Sequence, residues 1–163
     1  MIRPGLLPLA PVELEPGYWP SMMLYAATVF LEAEGEPEPG QVAVAWVIRT
    51  RMDQQRASPR LVILGVDELA GDDGKPYEAF SCWNDDYVEA RRRRLLQPEP
   101  NAWETAWRAA SAAYWRLIPD PTHGASFYLN EELTRQIRPD HQLPSWFKRE
   151  NVRCKIGRHT FLL

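Results

Sequence analysis

Residues 21–52, SMMLYAATVFLEAEGEPEPGQVAVAWVIRTRM, predict two helices joined by an acidic turn that is rich in proline and glycine. In the first half, apolar residues recur at intervals of three and four, which is the period of a buried helical stripe. Ser21 is the predicted N-cap and Gly35 the predicted C-cap, so this helix should span Met22 to about Glu34. The second helix should span Gln41 to about Gln54, with a second apolar stripe.

The rest of the chain predicts further helices and then strands. The helical segments are Leu61 to Leu69 (helix or extended), Asn84 or Asp85 to about Leu96, and Asn101 to about Ile118, the last with a capping box to Glu104. Ala125 to Leu129 and Ile156 to Leu163 are short and aromatic, and we interpret both as strands. We therefore predict an α+β fold, mainly helical, with a small antiparallel sheet near the C-terminus. Residues 1–20 should form an extended arm, and residues 21–163 a single domain.

The net charge and the cysteine count argue against a strongly basic nucleic-acid-binding protein and against a disulfide-rich protein. The 163 residues carry a net charge of −3, which gives no overall bias toward nucleic acid. The run Arg91–Arg94 is a local exception, which we interpret as a solvated face, with a patch for an anionic polymer as the sharper alternative. Cys82 and Cys154 form no disulfide framework, although a bridge between them stays open. We interpret Cys82 as a small buried residue and not a nucleophile, because no histidine is clearly paired with it.

Four acids fall within seven positions, at residues 32–38. Glu32 and Glu34 lie in the last turn of the first predicted helix, where the helix dipole disfavours negative charge. A carboxyl group that keeps its proton can act as a general acid. From the spacing alone, however, a solvated acidic turn is the better interpretation.

Five sequence blocks change that balance. They are EAEGEPEPGQVAVAWVIRTR at 32–51, FSCWN at 80–84, DPTHGASFY at 120–128, PSW at 144–146 and IGRHTF at 156–161. This series resembles the SleB-type cell wall hydrolases, which include spore cortex-lytic enzymes and many phage lysins, and the blocks occur in the family's order. The family often has an asparagine where this chain has Thr50.

The resemblance implies a lysozyme-like fold with a glycan groove. Glu32 matches the family's catalytic acid, and Glu36 matches a second acid that we interpret as structural or supporting. Our candidates for groove contacts offer two aromatic rings, a hydroxyl and an amide, and they are Trp83, Tyr128, Ser81 and Asn130. For each of these four, a role in the core or in tethering a loop is an equal alternative.

The expected function is a peptidoglycan-degrading glycosidase. The finer expectation is a lytic transglycosylase that cleaves the N-acetylmuramic acid–N-acetylglucosamine bond with one glutamate, in the setting of a phage endolysin. The alternatives are a water-using muramidase, a zinc wall amidase and a non-catalytic glycan-binding module. In the muramidase, Asp85 or Asp120 would position the water. A bacterial wall-remodelling enzyme is the alternative to the phage setting. No cofactor or metal is expected, because the three histidines and two cysteines lack metal-ligand spacing.

The expected partners are peptidoglycan glycan strands, with no nucleic acid and no membrane, and the chain should act as a monomer. No signal peptide can be recognised at Met1 to Gly17, and no stretch is as long as a transmembrane helix. We therefore expect the protein to stay in the host cytoplasm until it is released to the cell wall.

Overall fold

The computed structural model describes residues 10–11, 14–67, 77–84 and 87–163. The helices are α1 (Ser21–Ala33), α2 (Glu38–Gln55), α3 (Pro59–Leu64), α4 (Val88–Leu96), α5 (Pro100–Tyr114) and α6 (Glu131–Ile137). The strands are β1 (Val66–Asp67), β2 (Tyr77–Glu78), β3 (Phe127–Leu129), β4 (Val152–Ile156) and β5 (His159–Leu162). Short 3-10 turns lie at Pro16–Tyr18, Ser81–Trp83 and Arg149–Asn151. The predicted class, mainly helical with a small antiparallel sheet near the C-terminus, is confirmed.

Helix α1 forms the centre of the core. Every residue from Met23 to Leu31 is buried, so this helix is covered on all sides and not along one stripe. Helices α2 and α5 both pack against α1 and against each other. Helix α5 presents buried alanines at 106, 109, 110 and 113, and these small side chains let the neighbouring helices approach closely.

The C-terminal sheet has the order β3-β5-β4, and both pairs are antiparallel. Strands β4 and β5 form a hairpin that turns at Gly157, whose φ of +60° favours glycine. The predicted single strand Ile156 to Leu163 was therefore wrong in part, because this segment contains the end of β4, the turn and β5. Helix α6 was also missing from the prediction, since none of its residues is buried and it shows no apolar stripe.

The predicted ends of α2 and α5 differ from those in the structure. Helix α2 begins at Glu38 and not at Gln41, because Pro39 falls in the first turn, where a missing N–H costs nothing. Helix α5 is capped by the side chain of Glu99, which accepts from two backbone N–H groups, in place of the predicted capping box. It ends at Tyr114 and not near Ile118, and Arg116 just beyond it has a positive φ of 54°.

The predicted N-terminal arm is described only in part, because residues 1–9, 12 and 13 lie outside the described residues. Trp19 near its end is buried, and its indole N–H donates to the carbonyl of Leu14 at 2.9 Å. The edge of the Trp19 ring packs against Trp83, with the ring centroids 5.6 Å apart. This end of the arm is therefore part of the core.

Candidate active site

Glu32 lies in the last turn of α1 and is only partly buried, between the buried residues Leu31 and Ala33. Both of its carboxyl oxygens accept hydrogen bonds. Oε1 accepts from the backbone N–H of Cys82 at 2.9 Å and from the Ser81 hydroxyl at 3.4 Å. Oε2 accepts from the Tyr128 hydroxyl at 2.8 Å. Residues that are 49 to 96 positions apart in the chain thus converge on one carboxyl group.

The turn Ser81–Trp83 is held in place by Trp83. Its indole N–H donates to the Thr28 hydroxyl at 2.9 Å, and that hydroxyl donates in turn to the carbonyl of Leu24. The Trp83 ring is 4% exposed and packs on Trp19. Trp83 therefore fills the core behind the turn, and its burial favours the structural alternative over the predicted sugar contact. Ser81 is exposed beside Glu32, as a groove contact requires.

Tyr128 reaches Glu32 from strand β3, where it pairs with Phe161 of β5. Its ring packs against His159 and Phe161, with centroids 5.0 and 5.8 Å away. Burial and then the negative charge of Glu32 raise the pKa of Tyr128 well above its ordinary value. The phenol therefore keeps its proton, and in the structure it donates a hydrogen bond to Glu32. This contact through the hydroxyl differs from the predicted stacking of the ring on a sugar, which stays a prediction.

Cys82 contributes its backbone to the site. Burial and then the charge of Glu32 raise the pKa of the Cys82 thiol well above its ordinary value. A thiol must ionise before it can attack, so this environment disfavours a nucleophilic role. Cys82 and Cys154 are both free thiols, so the bridge that the sequence left open does not form.

Glu36 lies four residues beyond Glu32 in a different environment. Its side chain is 2% exposed, and Oε1 accepts from Nε of Arg158 at 2.7 Å. Oε2 accepts from the backbone N–H of Arg158 at 2.9 Å. Burial alone would raise the pKa of Glu36, but the two hydrogen bonds from Arg158 outweigh it and lower this pKa. Glu36 thereby joins the start of α2 to the β4–β5 turn, and a Cβ at Gly157 would overlap its Oε2 atom.

Comparison with protein families gives a match to Cell Wall Hydrolase over residues 35–162. The chain belongs to the cell wall hydrolase family. Comparison with curated proteins and with solved structures found no significant match. The matched region begins at Gly35, three residues after Glu32, so the match itself does not assign the acid. Peptidoglycan is the substrate that the family implies, and its breakdown is the activity.

The last predicted groove contact of this cell wall hydrolase, Asn130, is the N-cap of α6. Its side-chain oxygen accepts from the backbone N–H of Leu133 at 3.0 Å. The amide oxygen is therefore committed to the helix end, in agreement with the tethering alternative. A contact of the same side chain with the substrate stays a prediction.

Asp120 begins the DPTHGA block, and its carboxylate is committed to its own turn. The oxygens accept from the backbone and hydroxyl of Thr122 and from the backbone N–H of Gly124, all at 2.7 Å. These bonds leave Asp120 a turn-forming residue. Asp85 lies outside the described residues.

Sequence reasoning missed Arg51, a buried residue of α2. Its guanidinium donates to the carbonyls of Ser126 at 2.6 Å and Ala79 at 3.1 Å. These carbonyls lie two residues before Tyr128 and Ser81, so one cation joins the two segments that carry donors to Glu32. The signal available was a charged residue within the apolar sequence of α2, although nothing in the sequence shows which carbonyls it bonds.

Two further observations concern ligands and surroundings. Within the part of the chain that the structure describes, no three His, Cys, Asp or Glu side chains form a group that could hold a metal ion. No helix among the described residues has both the length and the apolar character needed to cross a membrane.

Proposed function

We propose that this cell wall hydrolase cleaves the glycan strands of peptidoglycan as a lytic transglycosylase, with Glu32 as its single catalytic acid. The supporting observation is a contrast within the acidic block. The other three acids form ion pairs, Glu34 with Arg94, Glu36 with Arg158 and Glu38 with Arg108. Among the described residues, Glu32 is instead held by uncharged donors.

Uncharged donors suit a group that must exist in two protonation states. An ion pair would oppose protonation, because the partner's charge favours the carboxylate. A hydroxyl can rotate, so the Tyr128 and Ser81 hydroxyls can donate to a carboxylate or accept from a carboxylic acid. Glu32 can therefore give up a proton and take it back without breaking a salt bridge.

The proposed reaction has two proton transfers. Protonated Glu32 donates its proton to the glycosidic oxygen as the bond from that oxygen to C1 of the muramic acid breaks. The C6 hydroxyl oxygen of the same sugar forms the new bond to C1, and its proton passes to the Glu32 carboxylate. The products are a 1,6-anhydromuramic end and a free hydroxyl on the leaving sugar, and Glu32 is protonated again.

A single acid suffices because the substrate supplies the nucleophile. Ordinary glycosidases need two carboxyl groups, one as acid and one as nucleophile or base. The oxygens of Asp120 are committed to its turn, which supports the one-acid reaction over water attack. We also propose that the fold is lysozyme-like and that it has a groove for the glycan strand.

The deciding experiment is digestion of purified peptidoglycan in heavy-oxygen water, followed by mass spectrometry of the products. Transglycosylation gives anhydro ends without the label, whereas a muramidase labels the new reducing end. Glu32→Gln should give no product, and Glu38→Gln, an exposed acid in the same block, is the matched control. Labelled ends without anhydro products would overturn the transglycosylase proposal and leave a muramidase.

Chelation separates the proposal from a zinc wall amidase. Proton transfer by Glu32 needs no Lewis acid, so activity should survive exhaustive treatment with a chelator. Loss of activity that stoichiometric zinc restores, together with cleavage of an amide bond in the products, would favour the amidase. Binding to walls without any release of fragments would favour a glycan-binding module.

We also propose the setting of a phage endolysin, in which the protein stays in the host cytoplasm until it is released to the wall. The support is the FSCWN block, which resembles a block common in the phage and proteobacterial members of the family. Expression in a bacterial host with and without a co-expressed holin tests this, because lysis should require the holin. Lysis at the same rate without it would contradict the setting.

A further inference from the structure

The four arginines of α4 differ in their surroundings. Arg91 and Arg94 are half-buried, while Arg92 and Arg93 are exposed. Because residues three apart lie on the same face of a helix, Arg91 and Arg94 point together toward the protein. The interpretation of the run as a solvated face therefore holds for only part of it.

We propose that Arg91 and Arg94 are positioning residues. They keep Glu32 and one of its hydrogen-bond donors, the backbone N–H of Cys82, at hydrogen-bonding distance. This inference rests on the proposed role of Glu32. Neither arginine bonds Glu32 in the structure. Arg91 acts through the backbone carbonyl of Cys82, and Arg94 acts through the backbone carbonyl of Leu31.

Arg91 holds the donor side. Its Nη1 atom donates to the carbonyl of Cys82 at 2.7 Å and to that of Asn84 at 3.5 Å. The backbone N–H of the same Cys82 donates to Glu32 at 2.9 Å. The guanidinium also lies over the Trp83 ring, 4.9 Å from its centroid. Residue 82 is thus fixed on both sides, by Glu32 at its N–H and by Arg91 at its carbonyl.

Arg94 holds the acid side. Its Nη2 atom donates to the carbonyl of Leu31 at 2.8 Å, directly before Glu32 in the chain. The last carbonyls of a helix have no partner within it, and a cation there also complements the negative end of the helix dipole. Arg94 in addition pairs with Glu34 at 2.8 Å, so it contacts the chain on both sides of Glu32.

Helix α4 therefore links the two halves of the site. One arginine contacts the turn that donates to Glu32, and the other contacts the helix end that carries Glu32. A catalytic constellation must be held to within a fraction of an ångström by the residues around it. Two arginines on one face of one helix meet that need, because α4 fixes the spacing between their backbone positions.

The test compares Arg91→Gln with Arg93→Gln, a matched control exposed on the same helix. For each folded variant, kcat and KM are measured on purified peptidoglycan, and exchange of the Cys82 amide hydrogen is followed by NMR. Arg91→Gln should lower kcat on the order of 10- to 100-fold with little change in KM, because misplacement of reacting groups affects mainly the chemical step. It should also speed Cys82 amide exchange about 10-fold or more, while the amides of α1 keep their protection. Arg93→Gln should match the wild type in both.

Two further variants complete the test. Arg91→Lys keeps the charge and a donor and should recover part of both readouts, which also keeps the test usable if Arg91→Gln does not fold. Arg94→Gln should lower kcat in the same way without changing Cys82 exchange, because Arg94 contacts the end of α1 that carries Glu32 and not the Cys82 backbone.

Three results would overturn the proposal. One is wild-type kcat and Cys82 exchange in Arg91→Gln or, if that variant is unfolded, in Arg91→Lys. Another is wild-type kcat in folded Arg94→Gln. The third is an equal, salt-sensitive rise in KM for Arg91→Gln and Arg93→Gln, which would instead indicate a patch that binds an anionic polymer. Full activity of Glu32→Gln would remove the proposed function itself, and Cys82 exchange in Arg91→Gln would still report whether the arginine positions that amide.

Discussion

Glu32 and Glu36 lie four residues apart in one acidic block, yet the fold gives them opposite environments. Glu32 is partly exposed at the end of α1 and accepts from two hydroxyls and a backbone N–H. Glu36 is buried two residues before α2 and accepts from the charged side chain and the backbone of Arg158. Among the described residues, the first acid has only uncharged donors, and the second is paired with a cation.

The two acids of this block therefore make different contacts with the rest of the fold. Glu36 joins the first of the five sequence blocks, residues 32–51, to the last, residues 156–161, because its partner Arg158 lies in the β4–β5 turn. That hairpin positions strand β3, which carries Tyr128 to Glu32. Glu36 thus contributes to the site through the sheet, and Glu32 through its own carboxyl group.

Replacement of the acid itself gives the sharpest test of this comparison. Glu32→Gln keeps the shape but cannot donate a proton, so activity on peptidoglycan should fall by roughly 10²- to 10⁴-fold. The melting temperature should stay close to that of the wild type, because Glu32 is partly exposed. Release of soluble fragments measures activity, and circular dichroism measures the melt. Wild-type release by Glu32→Gln, with loss in Glu36→Gln, would reverse the two assignments.

Glu36→Gln should show the opposite pattern, with a larger effect on stability than on activity. Loss of the charged acceptor for the two Arg158 donors should cost about 1–3 kcal/mol of unfolding free energy. Urea titration measures this loss. An unchanged midpoint would contradict the structural role of Glu36.

The pH dependence of stability sharpens the same contrast. The folded pKa of Glu36 is lowered, so its contribution is fully present above its unfolded pKa of about 4.3. The contribution is lost as the pH falls through the lower folded pKa. Wild type should therefore lose stability in acid, and Glu36→Gln should lose less over that range. Parallel curves for the two proteins would contradict this linkage.

The sequence predicts the elements that show a regular pattern. Helices α1 and α2 follow from their apolar residues and the acidic turn between them. Strand β4 was missed although Val152, Cys154 and Ile156 alternate with the exposed Arg153 and Lys155, because the charged residues obscured the period of two. Helix α6 was missed because it buries nothing, and its available signal was the cap at Asn130.

The candidate site was predictable only in part. Resemblance singled out Glu32, Ser81 and Tyr128, and these three come together in the structure. The N–H of Cys82 and the carbonyls held by Arg51 and Arg91 belong to the backbone, which has the same donors and acceptors in nearly every residue. No sequence pattern shows which of them will meet, so these contacts required the fold.

Tyr128→Phe tests how much the hydrogen bond from the Tyr128 hydroxyl to Glu32 contributes to catalysis. The ring and its packing on His159 and Phe161 remain, so stability should change little. Loss of one hydrogen bond of about 1 kcal/mol to the carboxyl group should lower kcat by roughly fivefold. Steady-state kinetics on purified peptidoglycan measures this change, with wild-type thermal stability as the control. A loss as large as that of Glu32→Gln would instead make Tyr128 a direct participant in proton transfer.

Ser81→Ala should have the smallest effect of the series. The Ser81 hydroxyl is exposed and lies 3.4 Å from Glu32, beyond the usual length of such a bond, while the Cys82 N–H holds the same oxygen at 2.9 Å. Water can replace an exposed hydroxyl, so kcat should stay within about twofold of the wild type. If Ser81 contacts the glycan, KM should rise while kcat stays constant, because the contact would bind ground state and transition state alike. A fall in kcat alone would show that the long bond tightens during the reaction, and Ser81 would then belong with Tyr128 as a donor to the acid.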